Sequence, residues 1–353
     1  MSDLPFDFDL LCDLTEERGV PGYEDRVRAL VEAELEPHVD RLRTDAMGNV
    51  VGTVEGDGDH SVLVAAHMDE IGFMVRHVTE EGFVQLDALG GWDPRILKAQ
   101  RATVHAEDGD VPGVIGSVPP HTLDEEDLEA KPDVHDVHVD LGLDGETAAE
   151  RVDVGDLVTL DQTTATVGEH VTGKAIDNRV SVFVMLEAAR ELADADLDAT
   201  VHLCATVQEE VGLRGAQALG VDIDPDLGLA LDTTVANDVP GFEPADHVTE
   251  LGEGAGIKLK DSSVITNPKV HRRLQSVAAD RDIPTQLEVL PAGGTDTGGL
   301  QRASGATPVG AISVPTRYLH TPTECAHRGD VRAVIDLLTA FLTTEDGTHD
   351  YTL

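Results

Sequence analysis

The sequence alternates between two kinds of hydrophobic pattern, and this alternation restricts the possible folds more than any other feature. Amphipathic stretches predict helices after Gly22, after Asn267-Pro268 and from about Asp330. Short continuous apolar runs lie between these stretches and predict buried strands. The four runs are Val62–Ala66, Val201–Val207, Leu227–Leu231 and Thr307–Val314. Strands and helices that alternate in this way predict an α/β domain with a mixed sheet sandwiched by helices.

Residues 71–165 have a different sequence pattern. Turns rich in Gly and Pro separate short β-like runs such as Phe83–Leu86, Ala102–His105 and Asp156–Leu160, and helical periodicity is weak. This segment predicts a small, barrel-like β domain inserted into the α/β domain.

The expected domain organisation follows from this change in sequence pattern. The α/β domain is predicted to be discontinuous, with residues 1–70 and 166–345, and residues 346–353 form a tail. We expect Thr343–Leu353 to fray. The acid-rich stretch Asp124–Asp136 is expected to be an exposed loop.

The charge of the chain restricts its partners. Its 353 residues are 41% apolar, which suffices for a core in each of two domains. There are 68 acidic and 25 basic residues, a net charge of −43. Such a surface repels phosphate, so we expect neither nucleic acid nor an anionic membrane as a partner. Concentrated salt relieves the self-repulsion, and the charge therefore predicts a halophile's protein.

The cysteines and the first residues indicate a cytoplasmic protein. Cys12, Cys204 and Cys325 form no spaced set and are expected to be reduced. The first ten residues have neither a basic nor an apolar signal region. The apolar runs are too short to span a membrane.

Histidines and acids directly follow the predicted strands. His67 and Asp69 follow the first apolar run, Glu209 and Glu210 the second, and Asp232 the third. Open α/β sheets gather such strand ends at one edge, so we expect these side chains to lie close together.

Five short patterns contain these residues and suit a pair of hydrolytic metal ions. They supply two histidines and three carboxylates as mixed nitrogen and oxygen ligands, with a spare glutamate beside them. The patterns are Ala66-His67-Met68-Asp69-Glu70, Ala175-Ile176-Asp177-Asn178-Arg179, Gln208-Glu209-Glu210, Leu231-Asp232-Thr233 and Tyr318-Leu319-His320-Thr321-Pro322.

In content and order, the patterns resemble the tetrahedral (TET) aminopeptidases of metallopeptidase family forty-two, which includes glutamyl and deblocking aminopeptidases. The resemblance covers nearly the whole chain and, with the charge, suggests a haloarchaeal-type member. The further matching motifs are Gly22 after Val20-Pro21, Asp45-Ala46-Met47-Gly48-Asn49, Gly90-Gly91-Trp92-Asp93-Pro94, Gly116-Ser117-Val118-Pro119-Pro120-His121 and Gly294-Thr295-Asp296.

The resemblance implies two divalent ions per subunit. His67, Asp177 and Asp232 would bind one ion, and Asp177, Glu210 and His320 the other, with Asp177 as the bridge. Zn is the expected metal, and Co or Mn are alternatives, since imidazole and carboxylate accept all three.

The resemblance also implies roles for residues around the metals. Glu209 would be the general base for a metal-bridging water and return the proton to the leaving amine. Asp69 would fix the tautomer of His67. The peptide bond after Asp177 would be cis. Thr295 and Asp296, in a Gly-rich segment, would wall the substrate pocket, although a Gly-rich turn into a helix explains the segment equally well.

The implied function is a dinuclear aminopeptidase that removes N-terminal residues from peptides. The resemblance further implies a homododecamer built from dimers, with the inserted domain at the dimer contact. Related metallo-carboxypeptidases and deacylases share the ligand chemistry, but the long interval between His67 and Asp177 favours the TET family. An endoglucanase, a label carried by some members, would leave the metal ligands unexplained.

Overall fold

The computed structural model describes residues 4–124, 133–193 and 195–353. The chain divides into two compact units. The first contains residues 1–70, 164–319 and 323–353, and the second contains residues 71–163 and 320–322. The second unit therefore includes a short return of the chain, residues 320–322, beside its continuous segment.

The helices of the first unit begin and end where the sequence pattern changes. Asp7 caps the first of them. Asn267 caps the helix that Pro268 opens, and this start was predicted. In chain order, the helices of this unit are α1 (Phe8–Glu16), α2 (Asp25–Leu35), α4 (Ile176–Leu192), α5 (Arg214–Ile223), α6 (Pro268–Asp280), α7 (Asp296–Arg302) and α8 (Arg328–Leu342), and α3 (Gly145–Arg151) belongs to the second unit.

The first unit contains one mixed sheet of eleven strands. Its main path runs in the order β1, β2, β12, β3, β13, β16, β17, β11 and β10, and β14 pairs with β15 and β16. The strands are β1 (Arg41–Thr44), β2 (Val50–Val54), β3 (Ser61–His67), β10 (Ala165–Val167), β11 (His170–Gly173), β12 (Thr200–Thr206), β13 (Leu227–Val235), β14 (Ala255–Lys260), β15 (Thr285–Val289), β16 (Val309–Arg317) and β17 (Glu324–His327).

Helices cover both faces of this sheet, because its central strands are apolar on both sides. In β3, Val62, Val64 and Ala66 join a core formed with α1, α2, α4, α6 and α8. The alternate residues Leu63 and Ala65 join a second core with α5 and α7. Continuous apolar runs are typical of strands buried on both faces. The predicted α/β fold class is confirmed.

The second unit is a closed six-stranded barrel with its own core. Phe73, Leu86 and Val104 are fully buried in it, and Phe73 stacks on Trp92 at 4.6 Å between ring centroids. The barrel order is β4 (Gly72–Val78), β5 (Phe83–Leu89), β8 (His138–Asp140), β7 (Gly109–Ile115), β6 (Gln100–Ala106) and β9 (Leu157–Leu160). The predicted barrel-like domain is thus confirmed as a fold.

The C-terminal tail differs from the expectation of fraying. Tyr351 is only 5% exposed, and its hydroxyl donates to Glu345 at 2.6 Å. The Asn267 side chain donates to the Tyr351 carbonyl at 2.7 Å. These contacts anchor the segment after α8, and sequence periodicity does not detect them because they join positions far apart in the chain.

Two other expectations concern the polar and apolar segments. Most of the acid-rich stretch Asp124–Asp136 lies outside the described residues, and its end contains a short 3-10 turn at Val134–Asp136. Among the described residues, the structure contains no helix with the length and apolar character needed to cross a membrane.

Candidate metal centre

Three adjacent parallel strands bring the predicted ligands to one edge of the sheet. Strand β3 lies between β12 and β13 and is parallel to both. His67 is the last residue of β3, and Glu209 and Glu210 follow the end of β12. Asp232 lies inside β13, which continues to Val235 instead of ending before the aspartate as predicted. The strand ends gather at one edge, as open α/β sheets require.

Asp177 approaches this edge from the start of α4. Its backbone is not helical, with φ −77° and ψ 107°, and its peptide bond to Asn178 is cis, as the resemblance implied. The Asp177 N–H donates to Glu324 at 2.9 Å, and the Asn178 side chain donates to the Leu231 carbonyl at 2.9 Å. These two hydrogen bonds hold the start of α4 in position beside Asp232.

The ligand atoms of His67, Asp177 and Asp232 are spaced as donors to a cation. All three lie within 4.8 Å of one another. His67 Nε2 is 3.6 Å from Asp177 Oδ1 and 3.7 Å from Asp232 Oδ1. These distances exceed those of hydrogen bonds. Two ligands on one tetrahedral Zn²⁺ are about 3.4 Å apart, given bonds of about 2.0–2.2 Å. The residues therefore fit a divalent transition-metal ion.

Glu209 and Glu210 lie against the same imidazole. Their ligand atoms and that of His67 lie within 4.8 Å of one another, and Glu209 Oε2 is 4.0 Å from His67 Nε2. The ligand atoms of Asp177 and Glu210 are also within 4.8 Å of each other. The donor atoms of His67, Asp177, Glu209, Glu210 and Asp232 are therefore more than one ion needs.

Burial and like charge perturb the titration of this group. Burial raises the pKa of Glu209 well above its usual value, and the Asp232 carboxylate acts in the same direction. Burial opposes charge on His67, but Glu209, Asp177 and Asp232 outweigh it and raise the imidazole pKa. Burial raises the pKa of Asp232 as well. Positive charge from a bound divalent ion would keep these carboxylates ionised.

Asp69 contacts the centre through both its backbone and its side chain. The His67 Nδ1 atom lies 3.1 Å from the main-chain oxygen of Asp69 and 3.6 Å from its carboxylate. The carboxylate instead accepts the N–H groups of Glu209 and Glu210, at 3.1 Å each. Asp69 therefore holds the backbone that carries both glutamates, and its carbonyl orients His67.

Replacement of Asp69 by asparagine tests this bracing role. One acceptor oxygen would become an NH₂ group facing an N–H donor, so the Glu209-Glu210 backbone should shift. We expect kcat for a peptide substrate to fall about 10–100-fold, the usual effect of losing a supporting contact at a metal site. Steady-state kinetics with metal analysis measures this.

Glu24→Gln is the matched control for Asp69→Asn. Glu24 accepts the N–H groups of Gly22 and Gln208 on one oxygen, Oε1, which the amide of glutamine retains. We expect no more than about a twofold change in kcat, because a preserved hydrogen bond costs little. Equal losses in the two variants would contradict the assignment to Asp69.

Sequence reasoning left a buried ion cluster beside the centre without a role. Glu70 accepts Lys174 Nζ at 2.7 Å and lies 3.6 Å from Arg179 Nη2. Arg179, which is fully buried, donates through Nε to the Met68 carbonyl at 2.7 Å. The cluster thus braces the residue next to His67. The sequence did contain a signal for this cluster, since Glu70 and Arg179 lie within the patterns that contain His67 and Asp177.

Asn49 supports the chain that leads to Glu209. Its Oδ1 accepts the Val207 N–H at 3.0 Å, and its Nδ2 donates to Asp45 at 2.7 Å. Asp45 also accepts the N–H of Asn49 at 3.0 Å. This turn anchors the chain two residues before Glu209.

The remaining predicted residues are Thr295, Asp296 and His320. Thr295 precedes α7 and Asp296 begins it, so the Gly-rich segment is a turn into a helix. Both side chains are buried, and Asp296 accepts the Thr206 hydroxyl at 2.5 Å. Burial raises the pKa of Asp296 to about 7. His320 belongs to the barrel unit, where its Nδ1 is 2.7 Å from the Gly91 carbonyl oxygen.

A helix-covered mixed sheet with histidine and carboxylate side chains at its strand ends is suited to a metal-dependent hydrolase. The sequence matches the M42 glutamyl aminopeptidase family over residues 48–337. The chain belongs to this family and is an aminopeptidase, a peptide hydrolase that depends on divalent metal.

Proteins similar to this chain support the same class. A lysyl aminopeptidase of Pyrococcus furiosus is 34% identical over 345 residues, which are 95% of this chain and 96% of that protein. The structure of aminopeptidase APDkam598 from the archaeon Desulfurococcus kamchatkensis superposes with a TM-score of 0.91 at 38% identity, covering 96% of this chain and 94% of that one.

A third relative is the TET1 peptidase of Pyrococcus horikoshii, which can assemble into a tetrahedron or a large octahedral shell. It has a TM-score of 0.86 and 32% identity, with 95% of this chain and 98% of that chain covered. This similarity confirms the TET aminopeptidase fold of the chain.

Proposed function

We propose that this aminopeptidase works with two divalent ions per subunit. His67, Asp177 and Asp232 hold one ion, and Asp177, Glu210 and His320 hold the other. The observation that carries the proposal is the spacing of the first three ligands, 3.6 and 3.7 Å from His67 Nε2 to the two aspartates. The proximity of Asp177 to Glu210 supports the shared use of Asp177 as a bridge.

The ligand chemistry favours Zn²⁺, with Co²⁺ or Mn²⁺ as substitutes. Imidazole and carboxylate bind all three ions, so availability decides between them. The ions supply Lewis acidity, which lowers the pKa of water and polarises a scissile carbonyl.

Glu209 is the proposed general base. Its side chain is 10% exposed and lies beside His67, and it is not needed as a ligand in the proposed sets. Its carboxylate takes a proton from the attacking water and returns it to the leaving amine, which then departs as a neutral group. Asp69 keeps the backbone of Glu209 in place for this transfer.

Carboxylates around the centre also suit the substrate's free amino terminus. A positively charged ammonium is attracted to a buried acidic group, and this favours cleavage of the first residue. Thr295 and Asp296 are the proposed walls of the substrate pocket. The substrates are peptides with a free N-terminus.

A substrate panel tests the proposed function. Purified protein in concentrated salt is expected to hydrolyse aminoacyl chromogenic substrates, to lose this activity on chelation and to regain it with Zn²⁺, Co²⁺ or Mn²⁺. N-acetylated analogues and carboxymethyl cellulose serve as controls and should remain intact. Cleavage that persists after complete metal removal would contradict the proposal.

The proposed assembly is a dodecamer built from dimers. The similarity to a peptidase that forms tetrahedral shells supports it, and the barrel unit is the proposed source of the dimer contact. Light scattering on the eluting protein would give the mass of the assembly, and a monomer at every salt concentration would contradict it.

We also propose that the enzyme is halophilic and cytoplasmic. The net charge of −43 supports the first statement. The second is supported by the three cysteines, which are unpaired in the structure.

The thermal midpoint of unfolding is expected to fall when KCl is lowered from about 1 M to about 0.1 M. The Debye length rises from about 3 to about 10 Å over this range, so acidic groups repel one another over longer distances. Scanning calorimetry measures the midpoint, and a non-ionic osmolyte at equal osmolality is the control. An unchanged midpoint would refute the halophilic assignment.

A further inference from the structure

The turn that follows α8 brings together three side chains of metal-ligand type. Glu345, Asp346 and His349 each offer a ligand atom, and these atoms lie within 4.8 Å of one another. None of them belongs to the proposed catalytic ligand sets. Acidic clusters alone are common on a chain of this charge, so the buried member of the group is decisive.

Glu345 carries a buried carboxylate oxygen without a hydrogen-bond donor. The residue is 1% exposed. Its Oε2 accepts the Tyr351 hydroxyl at 2.6 Å, whereas Oε1 has no hydrogen-bond partner. A buried anionic oxygen is costly unless a cation or donor compensates it. Oε1 therefore lacks a full partner, since the His60 imidazole lies beyond hydrogen-bond distance from it.

The nearest imidazole has the same feature. The His60 Nε2 atom is buried without a hydrogen-bond partner and lies 3.6 Å from Glu345 Oε1. This separation is too long for a hydrogen bond and close to the roughly 3.4 Å between two ligands of one tetrahedral ion. His60 Nδ1 lies 3.7 Å from an Asp226 carboxylate oxygen, which is also beyond hydrogen-bond distance.

The backbone of the turn is packed directly on His60. Gly347, with φ +71°, is so close that a Cβ there would lie 2.8 Å from His60 Cβ. His60 immediately precedes β3, while Glu345 follows α8. An ion at this place would fasten the C-terminal segment to the start of a central strand.

We propose that Glu345, Asp346 and His349 form a second, separate cation site that binds a divalent transition metal of the Zn²⁺ type, with His60 as the adjacent further donor. Mixed imidazole and carboxylate donors suit first-row transition metals better than Ca²⁺ or Mg²⁺, which prefer oxygen ligands alone. Its role is structural, since the site anchors the tail through Glu345.

Zinc content of single variants tests the site. His349→Gln and Asp346→Asn remove one ligand each, and Asp350→Asn is the matched control, because Asp350 is a neighbouring exposed carboxylate outside the group. Full-length protein is stripped with chelator, loaded with Zn²⁺ alone, gel-filtered and analysed by mass spectrometry for zinc per chain. Wild type and Asp350→Asn are expected to retain one more zinc than the two ligand variants.

Hydrogen exchange gives an independent result. At a free Zn²⁺ concentration ten times the dissociation constant, amides of residues 343–353 should exchange about tenfold more slowly than without zinc. Wild type and Asp350→Asn should show this protection, and His349→Gln and Asp346→Asn should lose it. Peptidase activity in excess metal should stay within about twofold of wild type in all variants, which shows that they fold.

Two outcomes would overturn the proposal. One is equal zinc content and equal zinc-dependent protection in wild type and both ligand variants. The other is hydrogen exchange of residues 343–353 that does not change with zinc and becomes faster only in His60→Gln. That result would identify an ion pair between His60 and Glu345 without a metal. Neither outcome depends on how many ions the catalytic centre holds.

Discussion

Replacement of Glu209 by glutamine is expected to lower kcat for aminoacyl substrates by about 10²–10⁴-fold, the usual contribution of a general base. Glutamine has nearly the same volume, but it neither accepts a proton from water nor returns one to the leaving amine. KM and the fold should change little. Initial rates over a range of substrate concentration, measured in concentrated salt, give kcat and KM separately.

Metal content distinguishes a base from a ligand at this position. Glu209 lies within ligand distance of His67 and Glu210, so the geometry also permits it to bind an ion. If Glu209 is the base, Glu209→Gln should keep the wild-type metal stoichiometry while activity collapses. Loss of an ion together with activity would make Glu209 a ligand, and retained activity would remove it from the mechanism.

Glu253→Gln is the control for this experiment. It removes the same charge by the same chemical change at an exposed position outside the centre. We expect kcat to stay within about twofold of wild type, because surface substitutions away from special features have small effects. A comparable loss in both variants would indicate a general effect of charge.

Replacement of Glu70 by alanine is expected to lower the free energy of unfolding by about 3–5 kcal/mol, the cost of leaving a buried charge uncompensated. Lys174 and Arg179 would both lose their carboxylate, and each is almost completely buried. The Gly19 N–H, which donates to Glu70 at 3.2 Å, would also lose its acceptor. Urea unfolding at constant salt concentration measures the change.

Glu55→Ala provides the exposed counterpart of this substitution. Glu55 pairs with Arg41 at 2.6 Å, but both side chains are largely in solvent, at 48% and 66% exposure. Such surface pairs contribute about 0–1 kcal/mol. The loss in Glu70→Ala should exceed that in Glu55→Ala severalfold and depend less on salt, because buried pairs are poorly screened. Equal losses would show that burial does not set the energy.

The effect of Glu70→Ala should reach the catalytic centre. Arg179 donates to the Met68 carbonyl, directly after His67 in the chain. Without Glu70, two unpaired cations beside this backbone should shift His67. We expect weaker retention of metal on dialysis, whereas Glu55→Ala should retain metal like wild type.

The local sequence was sufficient for several of the helices and strands. Continuous apolar runs predicted β3 and β12, because a strand buried on both faces must be apolar at every position. The same runs placed His67 and Glu209 at strand ends. Asn267 and Pro268 predicted the start of α6 through their capping chemistry.

The precise contacts of the centre were not predictable in this way. Asp69 was expected to fix the tautomer of His67, but nothing in the local sequence indicated that its carboxylate accepts the N–H groups of Glu209 and Glu210. These partners are 140 and 141 positions away. Only the pairing of β3 with β12 brings them together.

The sequence thus determined the α/β class, the inserted barrel and the chemical kind of the centre, because helical and strand periods and ligand types are local properties of the chain. The tertiary fold determined which groups meet: Glu70 with Lys174, Asp69 with the Glu209-Glu210 backbone, and Glu345 with His60. Partners of this kind are selected by strand order and burial, and a buried charge accepts whichever compensating group the folded chain brings within reach.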